Sequence, residues 1–179
     1  FATHALASAS NIVRVDADLP LALLGPLGCG VQTGAGAVMR SLACRAGSSI
    51  LIVGAGGVGL SAVMGAALQG CDQIFVYEPH AERRALALEL GATHALDPAD
   101  GALADIVAGI LPAGVEYALD TTAIPELVRA AFGALAKRGV LGLLGAPKRH
   151  DETFVTHMGD MVGGGRMVRG IMEGDSDPA

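Results

Sequence analysis

The sequence has no tryptophan, and aromatic residues reach only 3 %. That scarcity excludes base-stacking platforms and aromatic cages for cationic ligands. Charge is also sparse, at 17 % Asp, Glu, Lys and Arg, against roughly 25 % in ordinary soluble domains. The 18 acids outnumber the 12 bases, for a net charge of −6, so the basic stripe needed by a nucleic-acid binder is missing and no nucleic-acid partner is expected. Lysine occurs only as Lys137 and Lys148, which reads as genome bias. Cysteine is limited to Cys29, Cys44 and Cys71, an odd number with no CxxC pair. Neither a disulfide framework nor a zinc knuckle is written in that spacing, and reduced thiols fit a cytoplasmic setting. No signal-peptide pattern opens the sequence. The five histidines show no paired metal spacing such as i, i+4.

Against these shortages stand 51 % hydrophobic residues and 26 glycines, in a length of 179 residues that suits one ordinary domain. Residues 46–71 carry no charge, a stretch long enough to cross a bilayer. Seven glycines interrupt it, and its periodicity changes from a compact apolar run to a glycine cluster to a helical stripe. A buried strand, a tight turn and a buried helix account for all three, so no membrane partner is expected.

From Ile50 onward a unit of apolar run, turn and helical stripe recurs. The apolar runs are 50–53, 73–77, 93–96, 115–119, 140–144 and 167–171. Helical patterns lie between them. Residues 81–90 stop at Gly91. Leu103, Ile106, Val107 and Ile110 share a face that ends before Pro112. Leu127, Val128, Ala131, Phe132 and Leu135 form another, with Pro125 near its start and Lys137 and Arg138 expected to face the negative dipole end. Strand and helix in alternation predict an α/β fold, a doubly wound parallel sheet of six strands in three layers; if it is of the Rossmann type, the expected order is 3-2-1-4-5-6. Before Ile50 the pattern differs. Residues 1–14 could form an extended strand, residues 31–43 have a helical stripe, and a turn around Cys29 separates them.

Gly54-Ala55-Gly56-Gly57-Val58-Gly59 fits G-x-G-x-x-G and sits between an apolar strand and a helix, the context this motif needs. Gly54 permits the tight turn, Gly56 lets backbone approach a pyrophosphate, and Gly59 lets the helix pack close to the strand. Free N–H groups and the positive dipole end then face the phosphates. Glu78 follows Gly59 by nineteen residues, where an acid can bond the ribose hydroxyls. A carboxylate there repels a 2′-phosphate, so NAD is expected over NADP. Arg83 and Arg84 temper that expectation: they read either as a solvated helix face or, for Arg83, as a contact to the ribose. A packing role for the glycines and an S-adenosylmethionine-dependent methyltransferase are the competing readings, since the latter shares a glycine loop and an acid after its second strand.

Cys29, taken alone, reads as a small buried residue. Its surroundings, Gly25-Pro26-Leu27-Gly28-Cys29-Gly30-Val31-Gln32-Thr33-Gly34-Ala35-Gly36, resemble the stretch that precedes the coenzyme fold in zinc-dependent medium-chain alcohol dehydrogenases. Phe1-Ala2-Thr3-His4-Ala5, Gly145-Ala146-Pro147 and Ile171-Met172-Glu173-Gly174-Asp175-Ser176 resemble the aryl- or benzyl-alcohol dehydrogenase branch. The resemblance covers essentially the whole sequence. It implies that Cys29 is a ligand of a catalytic zinc and that Thr33 packs on the nicotinamide, with Val58 behind it. It places the pyrophosphate on Gly54, Gly56, Gly57, Val58 and Gly59, and the adenosine ribose beside Glu78 and Arg83. Thr121 and Thr122 fall on the adenosine side, and backbone groups of Leu144 and Ile171 near the carboxamide.

The family's other zinc ligands, its proton-relay hydroxyl and its four-cysteine lobe have no counterpart here. The expectation is a leading segment, 1–30, joining an absent catalytic domain, then a dinucleotide-binding domain, 31–172, and a loose tail, 173–179. No complete catalytic set is expected. The intact enzyme would oxidise an aryl alcohol to its aldehyde by hydride transfer to NAD, with zinc polarising the alcohol oxygen. The chain alone would be inactive, and the last strand would pair across a homo-oligomer. A stand-alone nucleotide-binding or sensor module is the alternative.

Overall fold

The structure, a computed structural model, describes residues 3–176. Phe1 and Ala2 of the opening phrase, and residues 177–179 of the tail, lie outside the described residues. Six strands form one parallel sheet: β1 (Ser49–Val53), β2 (Gln73–Tyr77), β3 (His94–Leu96), β4 (Val115–Asp120), β5 (Leu135–Leu143) and β6 (Met167–Gly170). Their order is β3-β2-β1-β4-β5-β6, the order expected of the Rossmann type. β1 is central and buried along its whole length, which explains its unbroken run of apolar side chains.

The helices are α1 (Leu21–Leu24), α2 (Gln32–Gly36), α3 (Gly57–Leu68), α4 (Ala81–Glu89), α5 (Leu103–Ile110), α6 (Pro125–Gly133) and α7 (Met158–Gly164). Side chains alternate across the sheet, and two apolar clusters result. Ile50 and Ile52 join Val38, Ala62, Val63 and Ala87 on the face covered by α2, α3 and α4. Leu51 and Val53 join Phe75, Leu103, Val107 and Phe132 on the face covered by α5 and α6. The outcome is three layers, with the site at the carboxyl ends of the strands.

Several expectations need correction. Residues 3–14 form no strand; a short 3-10 turn at Ala9–Asn11 is their regular structure. A strand needs a ladder partner, and both sheet edges, β3 and β6, are left without one from this segment. The stretch around Cys29 is not a turn but a π-helical turn, Leu27–Val31, which runs into α2 and a second π-helical turn, Ala37–Ser41. Together they make Leu21–Ser41 helical over 21 residues, long and apolar enough by length and composition to cross a membrane. Its second half is core: Gly34, Gly36, Ala37, Val38 and Ser41 are buried against the domain.

Leu135 belongs to β5 rather than to the helical stripe, because α6 ends at Gly133. Lys137 and Arg138 therefore do not serve the helix dipole. They occupy an outward excursion of β5, where register jumps from Val115 opposite Leu135 to Tyr117 opposite Val140. Arg138 takes φ +66° there. The sequence pattern also missed α7, which carries no buried residue and hence no apolar stripe. Part of the tail is packed. Glu173–Asp175 form a 3-10 turn with Gly174 buried, and Ser176 Oγ donates to the Gln32 carbonyl at 3.3 Å.

Candidate functional site

The glycine turn joins β1 to α3. Gly54 has φ +93°, a conformation few L side chains adopt, and its N–H donates to the Tyr77 carbonyl at 2.9 Å. A Cβ on Gly59 would sit 1.9 Å from the Gly54 carbonyl oxygen, so the helix reaches the turn only because that residue has no side chain. At Gly56 the reverse holds: a Cβ would meet nothing within 4 Å, and the space above the turn is open. The first bond inside α3 runs from the Leu60 N–H to the Gly56 carbonyl at 2.9 Å. The N–H groups of Gly57, Val58 and Gly59 thus have no partner within the helix, and they stand at its positive end.

Glu78 directly follows β2 and is buried, its side chain 4 % exposed. Its Oε2 accepts the Ala55 N–H at 2.8 Å, and its Oε1 accepts the His80 N–H at 3.0 Å. Each carboxylate oxygen keeps lone-pair capacity for a further donor. Arg83 Nη1 lies 4.0 Å from Oε2 with its side chain half exposed. Arg84 differs: it is largely buried, bonded to the Glu78 and Pro79 carbonyls and paired with Asp97. The reading of both arginines as a solvated face therefore fails for Arg84.

On the other side of the turn, Thr121 Oγ1 donates to the Val53 carbonyl at 2.8 Å. Asp120, 1 % exposed, was not singled out by the sequence. It accepts from Thr122 Oγ1 at 2.7 Å and from the Ala123 N–H at 2.8 Å, and so shapes the turn that presents Thr121 and Thr122. A lone acid after a strand carries no spacing signal, so sequence reasoning had no means of finding it.

These groups enclose a cleft of about 510 Å³. Gly54, Gly56, Glu78, Arg83, Thr121 and Thr122 all line it, so six expected residues meet at one place. Pro98, Ile124 and Leu127 add an apolar wall that the sequence did not reveal. The other expected residues stand apart from this cleft. Thr33 is half-buried on α2, next to Gly34, whose Cβ would lie 2.1 Å from the Val58 carbonyl oxygen. Leu144 donates its N–H to the Asp120 carbonyl at 3.0 Å, and Ile171 donates to the Leu143 carbonyl at 2.9 Å. Ile171 is a core residue.

Cys29 is exposed on its π-helical turn. Among the described residues, no three His, Cys, Asp or Glu side chains gather as a metal-binding group. A catalytic zinc takes three protein ligands. Among the described residues Cys29 has no companion ligands, so this chain does not make such a site by itself.

The arrangement can hold a dinucleotide: open space and free N–H groups for a pyrophosphate, a carboxylate for ribose hydroxyls, and an apolar wall for a base. Residues 57–178 match the family described as zinc-binding dehydrogenase. The chain is 48 % identical over 179 residues to a geraniol dehydrogenase of Castellaniella defragrans, covering 99 % of this chain and 48 % of that protein. It is similar to the crystal structure of a benzyl alcohol dehydrogenase from Acinetobacter calcoaceticus, with TM-score 0.88 and 37 % identity, over 93 % of this chain and 46 % of that one. A zinc-binding dehydrogenase structure from Sinorhizobium meliloti bound to NADP matches with TM-score 0.72 and 26 % identity, over 79 % and 43 %. The chain spans about half the length of the curated relatives it matches.

Proposed function

Because the chain belongs to the zinc-binding dehydrogenase family, we propose that it is the coenzyme-binding half of an alcohol dehydrogenase. The single observation that carries this reading is the buried Glu78 carboxylate locked to the Ala55 N–H, where the glycine turn opens on the cleft. The pyrophosphate lies over Gly56 and the N–H groups of Gly57, Val58 and Gly59. The adenosine ribose bonds Glu78 and Arg83, and adenine lies against Pro98, Ile124 and Leu127. Thr121 and Thr122 bound the adenosine side. The nicotinamide extends toward Thr33, Val58, Leu144 and Ile171. In the reaction a primary alcohol, preferably an aryl one, loses hydride to NAD and a proton to solvent, giving aldehyde and NADH. NAD is preferred over NADP because Glu78 repels a 2′-phosphate.

Exposed apolar side chains support the domain assignment. Leu6, Leu21 and Leu23 in the leading segment, and Met158 and Val162 on α7, are all more than two-thirds exposed. A catalytic domain joined through residues 1–30 covers the leading ones, and its ligands together with Cys29 complete the zinc centre. The unpaired edge of β6 supports pairing with a second copy. Free thiols at Cys29, Cys44 and Cys71 fit the cytoplasm.

Titration calorimetry of the 179-residue chain with NAD, NADP and S-adenosylmethionine tests the reading. Binding of NAD ahead of NADP is expected, with no turnover of benzyl alcohol. Binding of S-adenosylmethionine instead of NAD overturns it.

A further inference from the structure

We propose that Arg84 is a positioning residue for the adenosine end of the cofactor, which it serves by tying two walls of the cleft together; this rests on the dinucleotide-binding reading above. Arg84 lies in the first turns of α4, its side chain 17 % exposed. One nitrogen, Nη1, donates to the Glu78 carbonyl at 2.7 Å and to the Pro79 carbonyl at 2.8 Å. The other, Nη2, pairs with Asp97 Oδ2. Asp97 in turn accepts the Ala99 N–H on Oδ1 at 2.9 Å and caps the 3-10 turn Pro98–Asp100.

The guanidinium therefore spans the ends of β2 and β3. On one side it holds the loop that carries Glu78 and His80. On the other it holds the turn that carries Pro98. Both Glu78 and Pro98 line the cleft. A planar fork with donors at fixed angles can serve three acceptors in this way, whereas an ammonium is a point charge on a flexible stem.

The division of labour between the two neighbouring arginines sets cofactor choice. Arg84 is spent on carbonyls and Asp97 and does not line the cleft. Arg83 lines the cleft, 4.0 Å from Glu78. With Glu78 held in place, its carboxylate accepts the ribose hydroxyls and opposes a 2′-phosphate. Once the loop is released, the carboxylate keeps its bond to the Ala55 N–H but loses the fixed position of its His80 partner, and Arg83 is left to attract the phosphate. Arg84 thus acts on selectivity without touching the cofactor.

The test is calorimetric affinity for NAD and NADP in the wild-type chain and in Arg84→Met, Arg84→Lys and Asp97→Asn, with melting curves alongside. Arg84→Met is expected to weaken NAD about tenfold and to lower the NAD-over-NADP ratio several-fold, as losing hydrogen bonds to a charged group implies. Arg84→Lys, which keeps the charge but not the fork, is expected to follow it. Asp97→Asn is expected to fall between wild type and Arg84→Met, and it decides the matter should the Arg84 variants fail to fold. A role confined to stability would weaken both cofactors in step with the melting temperature and leave their ratio unchanged. That result, or an unchanged affinity in folded variants, overturns the inference alone. Absence of NAD binding in the wild-type chain overturns the functional reading and this inference with it.

Discussion

Glu78 Oε2 and the Ala55 N–H are 2.8 Å apart, which joins the end of β2 to the head of the glycine turn. A buried acid thereby shapes the glycine turn while it lines the cleft. Two roles in one side chain make its replacement informative. Glu78→Gln keeps an acceptor for Ala55 but loses the charge. NAD affinity is expected to fall by about 1–2 kcal/mol, with NADP affinity rising relative to it, as read by fluorescence titration. Glu78→Ala additionally leaves the Ala55 N–H unpaired and is expected to lower the melting temperature.

Gly56 and Gly59 separate binding from folding. Gly56→Ala adds a methyl to open space, so the melting temperature is expected to stay near that of the parent while NAD binding is lost. Gly59→Ala drives a carbon to 1.9 Å from the Gly54 carbonyl oxygen. It is expected to destabilise by several kcal/mol, on the scale of overpacking or worse. Thermal melts and cofactor titration on both variants check this pair of outcomes.

Arg138 has φ +66° in the excursion of β5. A residue with a Cβ costs about 1 kcal/mol in the left-handed region relative to glycine. Arg138→Gly is expected to raise stability by somewhat less than that, since the unfolded chain gains freedom. A denaturation midpoint below that of the parent would show that Arg138 makes compensating contacts.

The three thiols differ in reactivity. Cys29 is exposed, whereas Cys44 is buried beside Cys71 and its thiol is pushed well above the ordinary thiol range by desolvation first and then by Cys71. A raised pKa means less thiolate at any given pH, and the thiolate is the nucleophile. Brief alkylation near neutral pH is expected to modify Cys29 and spare the buried Cys44 and Cys71, and alkylation after denaturation to modify all three, as counted by mass spectrometry.

Asp120 accepts the Ala123 N–H and the Thr122 hydroxyl from a position 1 % exposed. Asp120→Ala leaves those half-buried donors without their acceptor and is expected to cost about 1–3 kcal/mol in a denaturant titration. It also loosens Thr121 and Thr122 against the cleft, so NAD affinity is expected to fall with it.

Local pattern revealed much of this molecule. The run 50–53, the glycine spacing after it and Glu78 at the end of the next strand are near neighbours in sequence, and each answers to a short-range rule. Where the rule needed a partner from afar, the pattern failed. Leu135 continued a helical stripe, yet it pairs with Val115 in the sheet, because α6 stops two residues earlier. The segment before α1 looked extended but found no strand to pair with. Arg84 and Arg83 are adjacent and chemically alike, and nothing local separates them. Only Asp97 and the turned-back carbonyls of Glu78 and Pro79 draw one inward.

The sequence by itself determined the alternation of strand and helix, the glycine turn and the acid that completes it, since backbone conformation and burial period are properties of a few consecutive residues. It also determined the shortage of charge, which a sheet buried on both faces requires. The tertiary structure decided which side chains share the cleft: Pro98 comes from the turn after β3, Ile124 and Leu127 from the start of α6, and they meet only once the strands are ordered. It decided as well that Cys29 stands exposed without companions among the described residues. Ligand sets and clefts depend on distances between segments far apart in the chain, and those distances exist only after the core has packed.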